Sequence, residues 1–131
     1  MEVLDIKTFQ RVEFLNITSE IEKLVINSKI TEGICVLFVP HSTAGLTVNE
    51  NADPSVKNDI RLKINKMIPY MDEYSHGEGN SDAHIKSSLF GSSLNLIISG
   101  GRLLLGIWQG IYFCEFDGPR KRNLYVKILS G

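Results

Sequence analysis

Cysteine is scarce in this chain. Cys35 and Cys114 are the whole complement, and both lie in apolar, strand-like segments. Two thiols cannot build the disulfide framework of a small secreted scaffold, so the pattern predicts two buried, reduced cysteines, with a disulfide between them as the alternative. Neither has an electropositive sequence neighbour, which argues against a nucleophilic role. Charge of one sign is also missing. A formal net charge of -1 gives no bulk attraction to nucleic acid or to a membrane surface. Long apolar runs are absent as well: Ile34 to Val39 and Leu103 to Leu105 are far too short to span a bilayer. Met1-Glu2-Val3-Leu4-Asp5 has neither the basic nor the apolar region of a signal peptide. A cytoplasmic protein is expected, with no nucleic-acid and no membrane partner. The chain has no low-complexity linker, internal repeat, Walker loop or dinucleotide fingerprint. Its 131 residues therefore read as one domain, large enough to bury about two thirds of the unfolded surface without staples.

What is present is a mixture of strand and helix patterns. Residues 2 to 17 are β-rich with a bend near Lys7 to Gln10. Thr18 or Ser19 then caps a helix carrying Ile21, Leu24 and Val25 on one face. Ile34 to Val39 is a continuous apolar run, the pattern of a strand buried on both faces. Leu46 to Asn49 is a short strand candidate. Asp53-Pro54 is a helix start, with Asp as N-cap and Pro in the first turn. Val56, Ile60, Ile64, Met67 and Ile68 form that helix's expected buried stripe, and Pro69 ends it. Ser81 or Asp82 caps a further short helix closed by Gly91. Leu94 to Ile98 is a strand, Gly100-Gly101 a tight hairpin turn, and Arg102 to Phe116 a long strand pattern with Gly106 and Gly110 inside it. Asp117-Gly118-Pro119 turns the chain into a last strand, Asn123 to Leu129. Helices set between groups of sequential strands predict an α+β fold: a mixed or antiparallel sheet or sandwich with two to three helices.

All three histidines fall in two polar stretches. His41 opens His41-Ser42-Thr43-Ala44-Gly45, while His76 and His84 bracket a glycine- and carboxylate-rich loop. Histidine both titrates near neutrality and ligates transition metals. Three protein ligands with an open water position would suit a catalytic zinc-like centre, although the spacing of His76 and His84 matches no zinc-finger or metalloprotease helix. Ser42, Thr43 and the adjacent backbone amides can hold a phosphate, with Gly45 admitting close approach of a ligand. Glu50 has no capping duty and reads as functional, whereas Asp53 has a strong alternative as a helix cap. Ser87 and Ser88 read as solvated. Trp108 is first a core candidate, and Gln109 points to the opposite face. Arg120 and Arg122 carry the guanidinium forks that suit phosphate recognition, or simply form a solvated basic turn.

Three strings then resemble signatures of the YjbQ-like family: His41-Ser42-Thr43-Ala44-Gly45-Leu46-Thr47-Val48-Asn49-Glu50-Asn51-Ala52-Asp53-Pro54, His76-Gly77-Glu78 through Asn80 to Leu89, and Gly101-Arg102-Leu103 followed by Leu105-Gly106-Ile107-Trp108-Gln109-Gly110-Ile111. Ile107 departs from the threonine that members often carry there. The resemblance covers nearly the whole chain and implies one YjbQ-like domain over 1–131, assembled as a homotrimer. It places family polar positions at His41, Glu50, Asp53, His76, Asn80, His84, Trp108, Gln109 and Arg120. It also implies the family label of a weak thiamine-phosphate synthase, which joins a pyrimidine-methyl diphosphate to a thiazole phosphate.

The resulting expectation is an enzyme acting on a phosphorylated small molecule. Glu50, Asp53, His76 and His84 are its candidate catalytic residues. Ser42, Thr43, Asn80, Trp108, Gln109, Arg120 and Arg122 are its candidate binding residues. His41, His76 and His84 are candidate ligands of a divalent metal, zinc or magnesium. A metal-dependent hydrolase and a non-catalytic metabolite- or metal-binding protein are the alternatives. The shared-site idea requires the three histidines to converge, together with Glu50 or Asp53, within or between subunits.

Overall fold

A computed structural model describes all 131 residues. The elements run β1 (Glu2–Lys7), β2 (Glu13–Asn16), α1 (Thr18–Ser28), β3 (Glu32–Phe38), β4 (Ala44–Glu50), α2 (Pro54–Met67), α3 (Ser81–Phe90), β5 (Ser93–Ser99), β6 (Arg102–Leu103), β7 (Gln109–Glu115) and β8 (Lys121–Ser130). Every strand pairing is antiparallel. One sheet has the order β1-β8-β3-β5-β6 and the other β2-β7-β4. This is the expected α+β class, with three helices.

The apolar side chains sort into two clusters that define the layers. Cys35, Leu37, Ile98, Leu124 and Val126 from the large sheet meet Leu46, Ile111 and Phe113 from the small sheet, with Ile21 and Val25 of α1 closing the side. On the other face of the small sheet, Phe14, Tyr112, Cys114 and Phe116 pack with Ala83 of α3. The small sheet is thus the middle layer, and β7 is covered on both sides from Gly110 to Glu115. A strand buried on both faces was expected at Ile34 to Val39. Instead β3 alternates: Cys35 and Leu37 are buried, while Ile34 and Phe38 stay 46% and 45% exposed. Continuous hydrophobicity does not say whether a second layer covers the outer face.

Local chemistry explains most boundaries. Asp53 caps α2 through a hydrogen bond from the Ser55 N–H, as its place before Pro54 predicted. Neither Thr18 nor Ser19 caps α1, which begins at Thr18 after Ile17 in the N-cap position; the Asn16 side chain accepts from the Thr18 N–H and hydroxyl. Gly100 and Gly101 both take positive φ in the β5–β6 hairpin, which matches the predicted turn. Three expectations are corrected. The long strand from Arg102 to Phe116 is two strands, β6 and β7, separated by a loop around Gly106, whose N–H donates to Gln109 Oε1. The α2 stripe is not buried: no residue of α2 is, and Met67 is 64% exposed. Neither Ser81 nor Asp82 caps α3; Asn80 holds the N-cap position, and Asp82 lies inside the helix, fully buried. No helix is long and apolar enough to cross a membrane.

Both cysteines are free and buried. Burial pushes the Cys35 thiol up to about 11 and the Cys114 thiol higher still, so both are weak nucleophiles, as their apolar surroundings suggested.

Candidate functional site

The β3–β4 loop, the loop entering α3, and the β7–β8 turn meet at one end of the small sheet. Together they line an open cleft of about 470 Å³. All three histidines reach it: His41 from the first loop, His76 from the second, and His84 from the first turn of α3. Ser42, Thr43, Asn80, Arg120 and Arg122 line it too, as do Glu78 and Asp117, and none of its lining residues is hydrophobic. Such a wall suits a charged or strongly polar group and offers nothing to an apolar one.

Arg122 is the most firmly held of these groups. It is 5% exposed, on β8. Its Nε donates to Glu115 Oε1 (2.9 Å), and its Nη2 donates to Glu115 Oε2 and to the Thr43 hydroxyl (2.8 Å). Burial alone would raise the Glu115 carboxyl. Arg122, the Asp117 N–H and the Thr8 hydroxyl overcome that and hold it below its ordinary value. Thr43 therefore orients Arg122, and its hydroxyl is already engaged. Arg120 is half exposed and bound to Asp117, through Nε to the carbonyl (2.8 Å) and through Nη2 to Oδ2 (3.0 Å). The same Oδ2 accepts from Asn80 Nδ2 at 2.9 Å. Asn80 is 9% exposed, and its Oδ1 is buried with no partner. A buried amide oxygen left unpaired is costly.

The histidines divide into two kinds. His41 Nε2 accepts the Asn123 N–H at 2.9 Å, so the neutral ring carries its proton on Nδ1. Burial, with the Arg122 charge next, lowers the His41 pKa. His41 is then a neutral N–H donor with its acceptor nitrogen spent. His76 and His84 stand edge to face, with ring centroids 5.5 Å apart. The exposed Glu78 carboxylate lies 3.9 Å from His76 Nε2, a contact that water screens heavily. No three His, Cys, Asp or Glu side chains are grouped at metal-holding separations.

Glu50, Asp53, Trp108 and Gln109 are elsewhere in the chain. β4 leaves the cleft at Ala44, opposite Glu115, and reaches Glu50 opposite Gln109. Six strand steps put that end roughly 20 Å away. There Glu50 Oε2 accepts the Ala52 N–H, Asp53 serves its cap, and Trp108 is 59% exposed, outside the core. Within one chain, the histidines converge with each other but not with Glu50 or Asp53. Gly45 also has a different role from the one expected. A Cβ there would sit 2.8 Å from the Gly91 carbonyl and 3.2 Å from Phe90 Cβ, so this glycine admits α3, not a ligand. Ser87 is buried and donates to the Ala44 carbonyl (2.8 Å), in contrast to the solvated position its sequence setting predicts.

Asp117 and Glu115 were absent from the sequence candidates. From sequence, Asp117 reads as part of its turn with Gly118 and Pro119, and Glu115 as the end of an apolar strand. A carboxylate inside a strand that is otherwise apolar was the available signal: such a charge needs a buried partner.

The family model described as UPF0047 protein YjbQ-like matches residues 2–131. The UPF0047 protein MJ1081 of Methanocaldococcus jannaschii is 56% identical over 125 residues, 95% of this chain and 91% of that one. The UPF0047 protein YugU of Bacillus subtilis is 48% identical, with 99% of both chains covered. A crystal structure of a YjbQ/UPF0047 family protein from Clostridium acetobutylicum superposes with a TM-score of 0.96 at 50% identity, covering 98% of this chain and 100% of that one. A YbjQ-like protein of Sulfolobus solfataricus gives 0.95 at 32% identity, over 99% of this chain and 96% of that one.

Proposed function

We propose, from the premise that this chain belongs to the YjbQ-like UPF0047 family, that it is a cytoplasmic enzyme whose histidine cleft takes the phosphate end of a small molecule. The observation that carries this reading is the composition of the cleft. Three histidines, two arginines, two carboxylates and Asn80 share one hollow with no apolar wall. Arg120 and Arg122 supply cationic N–H donors held in place by Asp117 and Glu115, and Arg122 Nη1 has no partner in the chain to compete for it. His41 supplies a neutral N–H. His76 and His84, with neither ring fixed by a hydrogen bond, are the groups free to move a proton.

The family label supplies the specific reaction to test. In a thiamine-phosphate synthase step, the C–O bond of a pyrimidine-methyl diphosphate breaks, and the electron pair leaves with diphosphate. The thiazole phosphate nitrogen forms the new C–N bond. In this cleft, Arg120 and Arg122 would neutralise the departing diphosphate, and His76 or His84 would protonate it. A divalent metal, zinc or magnesium, would add positive charge at the leaving oxygens. His76, His84 and the orphaned Asn80 Oδ1 have the donor chemistry to hold such an ion. His41 in its Nδ1–H tautomer does not, so the metal set would lack it. Glu50, Asp53, Trp108 and Gln109 would take part only from a neighbouring subunit.

The homotrimer implied by the resemblance fits an exposed apolar surface. On the outer face of the large sheet, Ile34 lies between Ile97 and Leu129, and Phe38 stacks on Tyr125 at 6.5 Å. Ile97 and Leu129 are 57% and 47% exposed, and contiguous apolar patches of this kind mark association sites.

The test is synthesis of thiamine phosphate from the two substrates by purified, untagged protein, with metal content measured on the same sample. Turnover that falls at least tenfold in His76→Ala, His84→Ala and Arg120→Gln is expected. Turnover unchanged in both histidine variants would refute the proton-transfer role. Saturable diphosphate binding without product would move the reading to a binding protein.

A further inference from the structure

A second cleft of about 470 Å³ opens on the other side of α3, between α2 and the β1–β2 loop. Its charged lining residues are Arg11, Arg61 and Lys86, and no carboxylate lines it; Gln10, Asn65 and Tyr70 add polar groups. Lys86 is 1% exposed, the largest fully buried side chain of the protein. Its Nζ donates to Asp82 Oδ2 (2.7 Å) and Asn65 Oδ1 (2.9 Å), which leaves a third N–H without a partner. Asp82, itself fully buried, is also claimed by Arg11 in a two-pronged pair at 3.0 and 2.8 Å. One carboxylate thus serves two cations. Tyr70 stacks against the Arg11 guanidinium, 3.6 Å from carbon to ring centroid, and fixes its plane. Arg61 stands at the mouth, held only by Asn58 (3.0 Å).

A basic patch on a surface is ordinarily solvated and needs no ligand. This one differs in its floor. Burying a lysine costs several kcal/mol unless its charge is compensated, and here the compensating carboxylate is shared with an arginine. The wall therefore carries excess positive charge and spare N–H donors on groups that packing has already immobilised. Donors held in place before binding are the arrangement that favours a compact, multiply charged oxyanion.

We propose that this cleft is a second anion site, separate from the histidine cleft, that takes a doubly charged phosphoryl group between Arg11, Arg61 and Lys86. It does not depend on the reaction assigned above. Helix α3 runs between the two sites: Asn80 and His84 face the histidine cleft, and Asp82 and Lys86 hold the second.

The test is a backbone amide NMR titration with inorganic phosphate, and separately with glycerol 3-phosphate, at constant ionic strength. Saturable shifts at residues 10–12, Asn65 and Lys86 are expected. Arg61→Gln, which leaves the buried network intact, should weaken binding by about tenfold, the loss of one charge-assisted hydrogen bond. Lys86→Met should abolish binding, with an unchanged remaining spectrum as the check on its fold. His84→Gln should leave these shifts alone. Tighter binding of glycerol 3-phosphate than of phosphate would support the site and identify a phosphorylated metabolite; equal affinity would support it with free phosphate as the ligand. Absence of saturation, or equal affinity in wild type and Arg61→Gln, would overturn the proposal. Shifts lost in His84→Gln and kept in Arg61→Gln would overturn it while supporting the histidine cleft as the phosphate site.

Discussion

The guanidinium of Arg122 spans both carboxylate oxygens of Glu115 across the β7–β8 turn, with Nε on Oε1 and Nη2 on Oε2. Both side chains are essentially removed from water. Arg122 lines the histidine cleft, and the pair is also a liability to the fold, because neither charge can be left alone.

Removing one partner should therefore cost more than removing both. Glu115→Leu or Arg122→Met alone is expected to lower stability by about 3–5 kcal/mol, since each strands a buried charge. The double variant should recover a large part of that loss. Urea unfolding of all three variants measures it, and a double variant as unstable as the sum of the singles would contradict the account.

Acid should expose the same dependence. Glu115 and Asp82 are both held below the ordinary carboxyl range, against burial, by their cationic partners. As pH falls, the unfolded chain takes up protons first, so it binds more of them than the folded chain and stability drops. The contribution is complete above the ordinary carboxyl values and disappears as pH passes down through the lowered ones. Melting temperature followed from pH 7 to pH 2 should fall most steeply below about pH 4.5, and the double variant Glu115→Leu/Arg122→Met should flatten that slope.

His41 should titrate below the ordinary histidine range, because burial and then Arg122 disfavour its cation. Ring nitrogen NMR is expected to show an unprotonated Nε2 at neutral pH, as the Asn123 N–H requires. The folded state resists this proton, so stability from His41 is present above the ordinary histidine value and is lost as pH falls through the lowered one. A His41 that titrates normally, with Nε2 protonated, would contradict the assigned tautomer.

Gly45 is expected to tolerate no side chain. Gly45→Ala should cost about 1–3 kcal/mol by forcing α3 off β4, since the new Cβ meets the Gly91 carbonyl at 2.8 Å. Gly77→Ala, where a Cβ meets nothing within 4 Å, should stay within about 0.5 kcal/mol of the parent. Thermal unfolding of the two variants separates a packing role for Gly45 from general loop flexibility.

The places where sequence and structure part have a common cause. The alternation of β3 and the half-exposed flank of α2 depend on whether another layer lies against them, and hydrophobic period is silent on that. Asp82 reads from sequence as a possible cap of α3, but its partner Arg11 is 71 residues away, beyond any local pattern. Gly45 was recognised as a point of close approach, while its neighbour came from a helix more than forty residues on.

Local chemistry determined the α+β class, the Asp53-Pro54 helix start and the Gly100-Gly101 turn, because capping and positive φ are settled within a few residues. Clustered polar motifs also drew attention to the three histidines, which line one cleft. Only the tertiary structure decided which members of those motifs meet. β4 carries Glu50 and Asp53 away from the cleft while the β7–β8 turn brings Asp117, Arg120 and Arg122 into it. Strand direction and long-range pairing govern that choice, and neither is written in the spacing of neighbouring residues.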